Sequence, residues 1–336
     1  MTTANVDSGM LKQPVVEANA DSPVQGMALI FFGIGIFSIQ DIIIRQLGGT
    51  YPGFEIMFFR GLVALGPIAL LVYFSGGFKT LYVSHPWLNV LRGLLGLFSY
   101  TAYYMGLQAL PLAEATAIFF VSPLVVTMLS ALMLGEVVRV RRWAAILAGF
   151  AGVIMIANPT GEFASWAILL PLLAATTYAL SIIITRSIGK TQTGASLAFY
   201  AMLVFVFVSG AAGLAAGDKG LDVSDHPSLI FLFRGWSMPT LWDGFLISLC
   251  GLIAAAGFYC LAQGYKVAPV SLVAPFEFVS MPLAVFWGYA IWSEIPSLQA
   301  ILGIAIIVLS GVYVLKRESA PEIKPLTTGK GVRLRL

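Results

Sequence analysis

The sequence predicts an all-α integral membrane protein: ten transmembrane helices forming two five-helix repeats of inverted topology around a central cavity. Three observations predict it. The 336 residues are 59% hydrophobic and only 10% charged, against about 45–50% and about 25% in soluble domains. A chain this apolar cannot hide its side chains in one core. Most of the 34 glycines and many of the 17 prolines lie in or beside apolar stretches instead of a low-complexity run, which membrane helices permit. Finally, special residues of the first half recur in register in the second. A soluble enzyme, a disordered chain and a disulfide scaffold are excluded. Cys250 and Cys260 share one apolar stretch, about 15 Å apart along a helix and too far to bridge.

Residues 1–26 are polar, with Asp7, Glu17 and Asp21, and read as a disordered cytoplasmic leader without a cleavable signal. A hydrocarbon layer of about 30 Å needs roughly 20 apolar residues per helix. That ruler gives Met27–Leu47, Phe54–Phe74, Trp87–Leu107, Pro111–Leu134 and Trp143–Ala157 as the first repeat, residues 27–157. It gives Trp166–Ile188, Ser196–Ala216, Leu241–Tyr265, Pro269–Trp292 and Ser297–Leu315 as the second, residues 166–315, before a basic cytoplasmic tail, 316–336. With the N-terminus inside, fourteen Lys and Arg fall on the inner side and three, Arg45, Lys219 and Arg234, on the outer. Both termini are therefore expected in the cytoplasm. The longest loop, Gly217–Thr240, faces outward, and its LIFLFRGW string reads as an interfacial segment anchored by Trp236.

The repeat is carried by Pro111, the FVS string at Phe120–Ser122 and Glu136, matched by Pro269, Phe278–Ser280 and Glu294, each pair 158 positions apart. AIL recurs at Ala145 and Ala300, and III at Ile42 and Ile182. Five spans per repeat is an odd number, so the second copy lies upside down relative to the first. Inverted repeats of this kind are a transporter design, because two similar halves can exchange conformations.

The stretch GLQALPLAEATAIFFVSPLVVTMLSALMLGEVVRVRRWAAILAGFAGVIMI resembles the repeat of the drug/metabolite transporter superfamily, EamA type. The tyrosine-rich third span, the Leu-Pro turn, the mid-helix proline and the Gly-Glu exit carry the likeness. The second half is similar but weaker, with Ser293-Glu294 and Met281-Pro282 in the matching places. The likeness runs from about Met27 to Leu315 and extends to ten-helix YddG-type exporters of aromatic and other amino acids. It implies a bacterial inner-membrane transporter, with amino acids, S-adenosylmethionine, nucleotide derivatives, sugars or toxic cations as substrate classes.

Depth along the helices places the candidate site. Pro123 and Pro282 fall near the midplane in corresponding spans, and a proline deprives the carbonyl four residues back of its partner. Such paired interruptions point to a binding site with the prolines as hinges; structural kinks are the alternative. Glu277 is an intramembrane carboxylate, so it faces cavity or partner: a substrate ammonium, a coupling proton, or an ion pair with Arg92. Asp41 and Arg60 share a depth on consecutive helices, which suggests a structural ion pair, with a gate of the outer vestibule or a substrate contact as the alternative. Tyr100 and Tyr104 share one face of the third span, and a tyrosine suits a zwitterion with a large side chain. The predicted wall is Tyr100, Tyr104, Phe119, Ser122, Glu277, Phe278 and Ser280, with Gln40 as a further polar contact. Ala144, Ala148 and Gly152 form a small-residue stripe read as helix packing.

The expected function is secondary transport by alternating access, exporting neutral or aromatic amino acids. Uptake or exchange of S-adenosylmethionine, a nucleotide derivative or a sugar is the alternative. No GxxxxGK phosphate loop is present, which argues against primary pumping. His85 and His226 stand in loops on opposite sides, so an intramembrane lipid-modifying enzyme is a distant alternative. No catalytic residue, metal, cofactor or nucleic-acid partner is expected; the partners are substrate and lipid, and the protein is a monomer or homodimer.

Overall fold

The computed structural model describes residues 23–83, 86–134, 140–157, 166–188, 192–217, 220, 225–267 and 274–318. Glu136, Arg139, Lys190, Lys219, Pro269, residues 1–22 of the leader and the tail beyond Glu318 lie outside them. Everything regular among the described residues is helical. The first half comprises α1 (Pro23–Leu47), α2 (Gly53–Phe74), α3 (Pro86–Ala109), α4 (Leu112–Phe119), α5 (Ser122–Leu134) and α6 (Val140–Ala157). The second comprises α7 (Leu169–Ile188), α8 (Gly194–Ala216), the short α9 (Pro227–Phe233), α10 (Leu241–Val267), α11 (Ser280–Trp292) and α12 (Leu298–Glu318). A 3₁₀ turn, Ala274–Val279, leads into α11. Helix α1 begins at Pro23, four residues before the predicted span, as suits a proline in a first turn.

Local chemistry sets the breaks. Helix α1 stops before the Gly48-Gly49 pair, and α2 opens after Pro52, whose backbone is extended. Thr193 caps α8 by accepting from the Ser196 N–H at 3.2 Å. Helix α11 ends at Ser293, which turns the chain through the left-handed region at φ 56°.

Six helical stretches are long and apolar enough to cross a bilayer unaided. Helix α3 is also 24 residues long, but Ser99, Tyr100, Tyr103 and Tyr104 make it more polar; all four face an internal cavity. Between 33% and 47% of each apolar span is buried, while Phe31, Phe32, Leu70, Phe98 and Phe207 remain outside, where lipid solvates them.

The packing obeys a two-fold exchange. Helix α1 lies on α10 as α3 lies on α7, and α2 lies on α10 as α3 lies on α8; α6 meets α12, and α2 meets α8. Repeat-equivalent residues meet at the centre: the rings of Phe120 and Phe278 touch at a tilt of 50°, with centroids 5.3 Å apart. At the α6–α12 crossing, a Cβ on Gly152 would come within 2.8 Å of the Gly303 carbonyl, and one on Gly303 within 2.7 Å of the Gly152 carbonyl. Of the predicted stripe only Gly152 faces this contact. Ala144 and Ala148 are exposed, because the buried face of α6 runs instead through Ala145, Gly149 and Gly152. The loop string packs back onto the bundle. Phe231 of α9 is 1% exposed and fills the space left by Gly53, while Trp236 packs on Gly213 and Phe58.

Candidate functional site

Between the halves lies a cavity of about 200 Å³. Its walls are α1 (Ser38, Gln40, Asp41), α3 (Tyr100, Tyr103, Tyr104), α4 with Thr116 and Phe119, Tyr178 of α7, Glu277 of the 3₁₀ turn, and Ser280 and Trp287 of α11. Aromatic rings dominate, and two carboxylates are the only acids among the lining residues.

Asp41 is held by hydroxyl groups of α3. Its two carboxylate oxygens accept hydrogen bonds from Tyr103 and Tyr104, each at 3.2 Å. Tyr103 also meets the Thr116 hydroxyl at 3.2 Å, and Gln40 donates to the Tyr104 hydroxyl at 2.9 Å. A buried carboxylate among apolar rings is costly unless hydrogen bonds or a cation compensate. Two neutral donors hold the carboxylate, and no cation forms an ion pair with it among the described residues. The Gln40 carbonyl oxygen is buried with no partner among the described residues.

The cavity has a roof one helical turn beyond Asp41, on the same face of α1. Arg45 donates to Glu294 through both terminal nitrogens, at 3.0 and 2.5 Å. Glu294 also accepts from the Leu112 N–H at 3.0 Å, and the Arg45 guanidinium lies 4.2 Å over the Trp292 ring. One carboxylate of the second half thus ties together α1 and the start of α4, both from the first. Below it the Trp287 indole donates to the Ser38 hydroxyl at 3.2 Å, a second tie between the halves. At the loops beyond the roof, Tyr51 donates to Asp243 at 2.8 Å, Ser237 donates its N–H to Glu55 at 3.2 Å, and Arg234 donates to the Gly48 carbonyl at 3.4 Å. Burial lowers the Arg234 guanidinium pKa from its ordinary value.

The structure sorts the predicted site residues. Gln40, Asp41, Tyr100, Tyr104, Phe119, Glu277 and Ser280 share the cavity wall. Ser122 and Phe278 do not: Ser122 is buried at the head of α5, and Phe278 is turned into the contact with Phe120 and Gly311. The predicted Asp41–Arg60 ion pair is not formed. Asp41 is taken by the two tyrosines, and Arg60 lies 5.0 Å over the Tyr100 ring instead. Equal depth fixes height along the bundle but not the direction in which each side chain points. Arg92 does not pair with Glu277; it donates to the Leu197 carbonyl, toward α8. The two prolines fall in the first turns of α5 and α11, just after the helices break at Phe120–Val121 and Val279. A missing N–H costs little there, so each proline starts a half-helix instead of kinking a continuous one. Its carbonyl remains useful: that of Pro123 accepts from Thr127 at 3.0 Å.

Sequence reasoning missed the Arg45–Glu294 tie, having used Glu294 as the repeat counterpart of Glu136. It also missed Tyr178 and Trp287. A signal for Tyr178 existed: the III match of Ile42 with Ile182 sets Tyr178 opposite Ser38 in the repeat, and both line the cavity. No cluster of potential metal ligands occurs among the described residues.

Residues 24–158 match the EamA-like transporter family. The chain is 29% identical to the riboflavin transporter of Rhizobium johnstonii over 249 residues, 74% of this chain and 76% of that protein. It is 26% identical to the S-adenosylmethionine uptake transporter of Rickettsia bellii over 302 residues, 88% of this chain and 97% of that protein. A crystal structure covering 89% of this chain and 99% of its own shares the fold, with a TM-score of 0.61 at 18% identity. Apolar spans, inverted packing and these relatives converge: the chain is a multi-pass membrane protein whose residues 24–158 match the EamA-like transporter family, and it is similar along most of its length to carriers of small molecules.

Proposed function

We propose that the chain is a secondary transporter exporting amino acids, aromatic and other neutral ones, across the bacterial inner membrane by alternating access. The observation that carries this reading is Asp41, a carboxylate held by two tyrosine hydroxyls inside an aromatic-walled cavity between the repeats. A substrate ammonium compensates that charge, and its ring stacks on Tyr100, Phe119 or Tyr178. The cavity volume of about 200 Å³ is below the roughly 300–1,000 Å³ of drug-sized sites, which favours one amino acid. The excess of Lys and Arg on one side supports cytoplasmic termini. That topology places the Arg45–Glu294 roof on the outer side, so the described state is closed outward. A monomer suffices for this design, and a homodimer is compatible with it.

Uptake of S-adenosylmethionine is the second reading, favoured by similarity to the Rickettsia uptake transporter over nearly that protein's whole length. Its sulfonium and ammonium would face Asp41 and Glu277. Proteoliposome flux of labelled phenylalanine, S-adenosylmethionine, riboflavin and glucose decides. Saturable phenylalanine flux is the expected result, and S-adenosylmethionine flux alone selects the second reading. Flux confined to riboflavin or glucose, neither of which carries a cation, would overturn both.

A further inference from the structure

Arg60 is the most unusual group in the molecule. It stands inside α2, 2% exposed, and all three of its guanidinium nitrogens are buried without a hydrogen-bond partner among the described residues. Native structures rarely leave one buried donor unsatisfied, and here a full positive charge is also unpaired. The contrast with Arg45 is direct: that guanidinium has both a carboxylate and a ring. Among the described residues the contact seen at Arg60 is the Tyr100 ring, with the charge 5.0 Å from its centroid. A cation–π contact does not replace the five hydrogen bonds a guanidinium can donate. Tyr100 is a wall of the cavity, so one aromatic ring separates an unpaired cation from the place where the substrate is proposed to bind. Arginine in a membrane interior marks a functional site by default, and its planar fork matches a carboxylate.

We propose that Arg60 is the carboxylate anchor of the transported substrate. The substrate then spans two poles, its ammonium at Asp41 and its carboxylate at Arg60. The Tyr100 ring swings aside to admit the acid group and covers the charge when the site is empty. In the empty state the Tyr104 hydroxyl is bonded to Asp41. The proposal rests on the reading of the cavity as a site for amino-acid-like substrates and names the group that tells an acid from an amine.

The test compares each acid with its decarboxylated amine, phenylalanine with phenethylamine and S-adenosylmethionine with its decarboxylated form, in wild type, Arg60→Met and Arg60→Lys. Wild type is expected to favour the acid by about tenfold or more, since sites built to hydrogen-bond a group reject analogues lacking it. Arg60→Met should erase that ratio and Arg60→Lys should restore part of it. A structural role predicts instead that acid and amine fall together, and this would overturn the proposal. Folding is followed separately: removing an unpaired buried charge should hold or raise the melting temperature. Should neither variant fold, competition in wild type still decides, because equal inhibition by acid and amine refutes the anchor. Should no member of the panel be transported, the functional reading fails. Stabilisation by benzoate in wild type but not in Arg60→Met would then still support an anion site, and its absence would end it.

Discussion

Asp41→Asn is expected to reduce transport about 100-fold while leaving the fold intact. The size follows from the loss of one charge-assisted hydrogen bond to a substrate cation, worth about 1.5–3 kcal/mol, together with the charge itself. The fold survives because an asparagine side-chain oxygen still accepts from Tyr103 or Tyr104, the two groups that hold Asp41 at 3.2 Å. Initial-rate flux in proteoliposomes, alongside the melting temperature of the detergent-solubilised protein, separates the two effects. A variant with wild-type flux would remove Asp41 from the substrate site. Tyr103→Phe and Tyr104→Phe should each act more mildly, by roughly threefold to tenfold, since each removes one neutral donor of about 1 kcal/mol. These single losses leave the carboxylate in place.

Glu294→Gln should have the second large effect, of a different kind. Glu294 receives three hydrogen bonds, two from Arg45 and one from the Leu112 N–H. Glutamine keeps an acceptor for Leu112 but forfeits the charge that holds Arg45. A bidentate Arg–carboxylate pair in a partly buried place contributes about 1–2 kcal/mol, which shifts a two-state balance by about 5–30-fold. The closed roof loses that stabilisation, so the cavity becomes more accessible from the roof side and the transport cycle slows. Ser38→Cys, placed beneath Trp287 in a Cys250→Ala/Cys260→Ala background, reports on this. Its modification by a membrane-impermeant thiol reagent from the roof side should be faster in Glu294→Gln than with Glu294 present. Unchanged labelling would mean the ion pair is ornament on a roof held shut by packing alone. Exchanging the charges, Arg45→Glu with Glu294→Arg, should restore protection.

The sequence revealed the architecture because bilayer physics leaves little choice. An apolar run of given length has to span, an odd number of spans has to invert the second copy, and the FVS strings locate the axis where Phe120 meets Phe278. Depth was equally legible: Gln40, Tyr100, Tyr104, Phe119, Glu277 and Ser280 were expected at the cavity and do line it, together with Asp41, which was expected in an ion pair instead. Azimuth was not. Successive residues of a helix point about 100° apart, and the rotation of each helix is decided by packing against partners distant in sequence. For that reason Asp41 and Arg60 were paired by height, whereas the structure inserts Tyr104 and Tyr100 from α3 and gives each charge its own surroundings. The same limit misassigned Ala144 and Ala148, which share a stripe with Gly152 on paper but face outward. The roof was invisible for a further reason: Arg45 and Glu294 are 249 positions apart, and no local pattern links residues joined only by the closing of two halves. The repeat nevertheless held a clue, since Glu294 is the counterpart of Glu136 at the same offset that relates the FVS strings.

If the two halves rock about a shared cavity, the roof has to open in every cycle. Cysteines replacing Arg45 and Glu294, in the background lacking Cys250 and Cys260, allow it to be locked with a short thiol cross-linker. Locking should stop flux of the transported solute, and cleaving the linker should restore it; undiminished flux through the locked protein would contradict alternating access through this entrance.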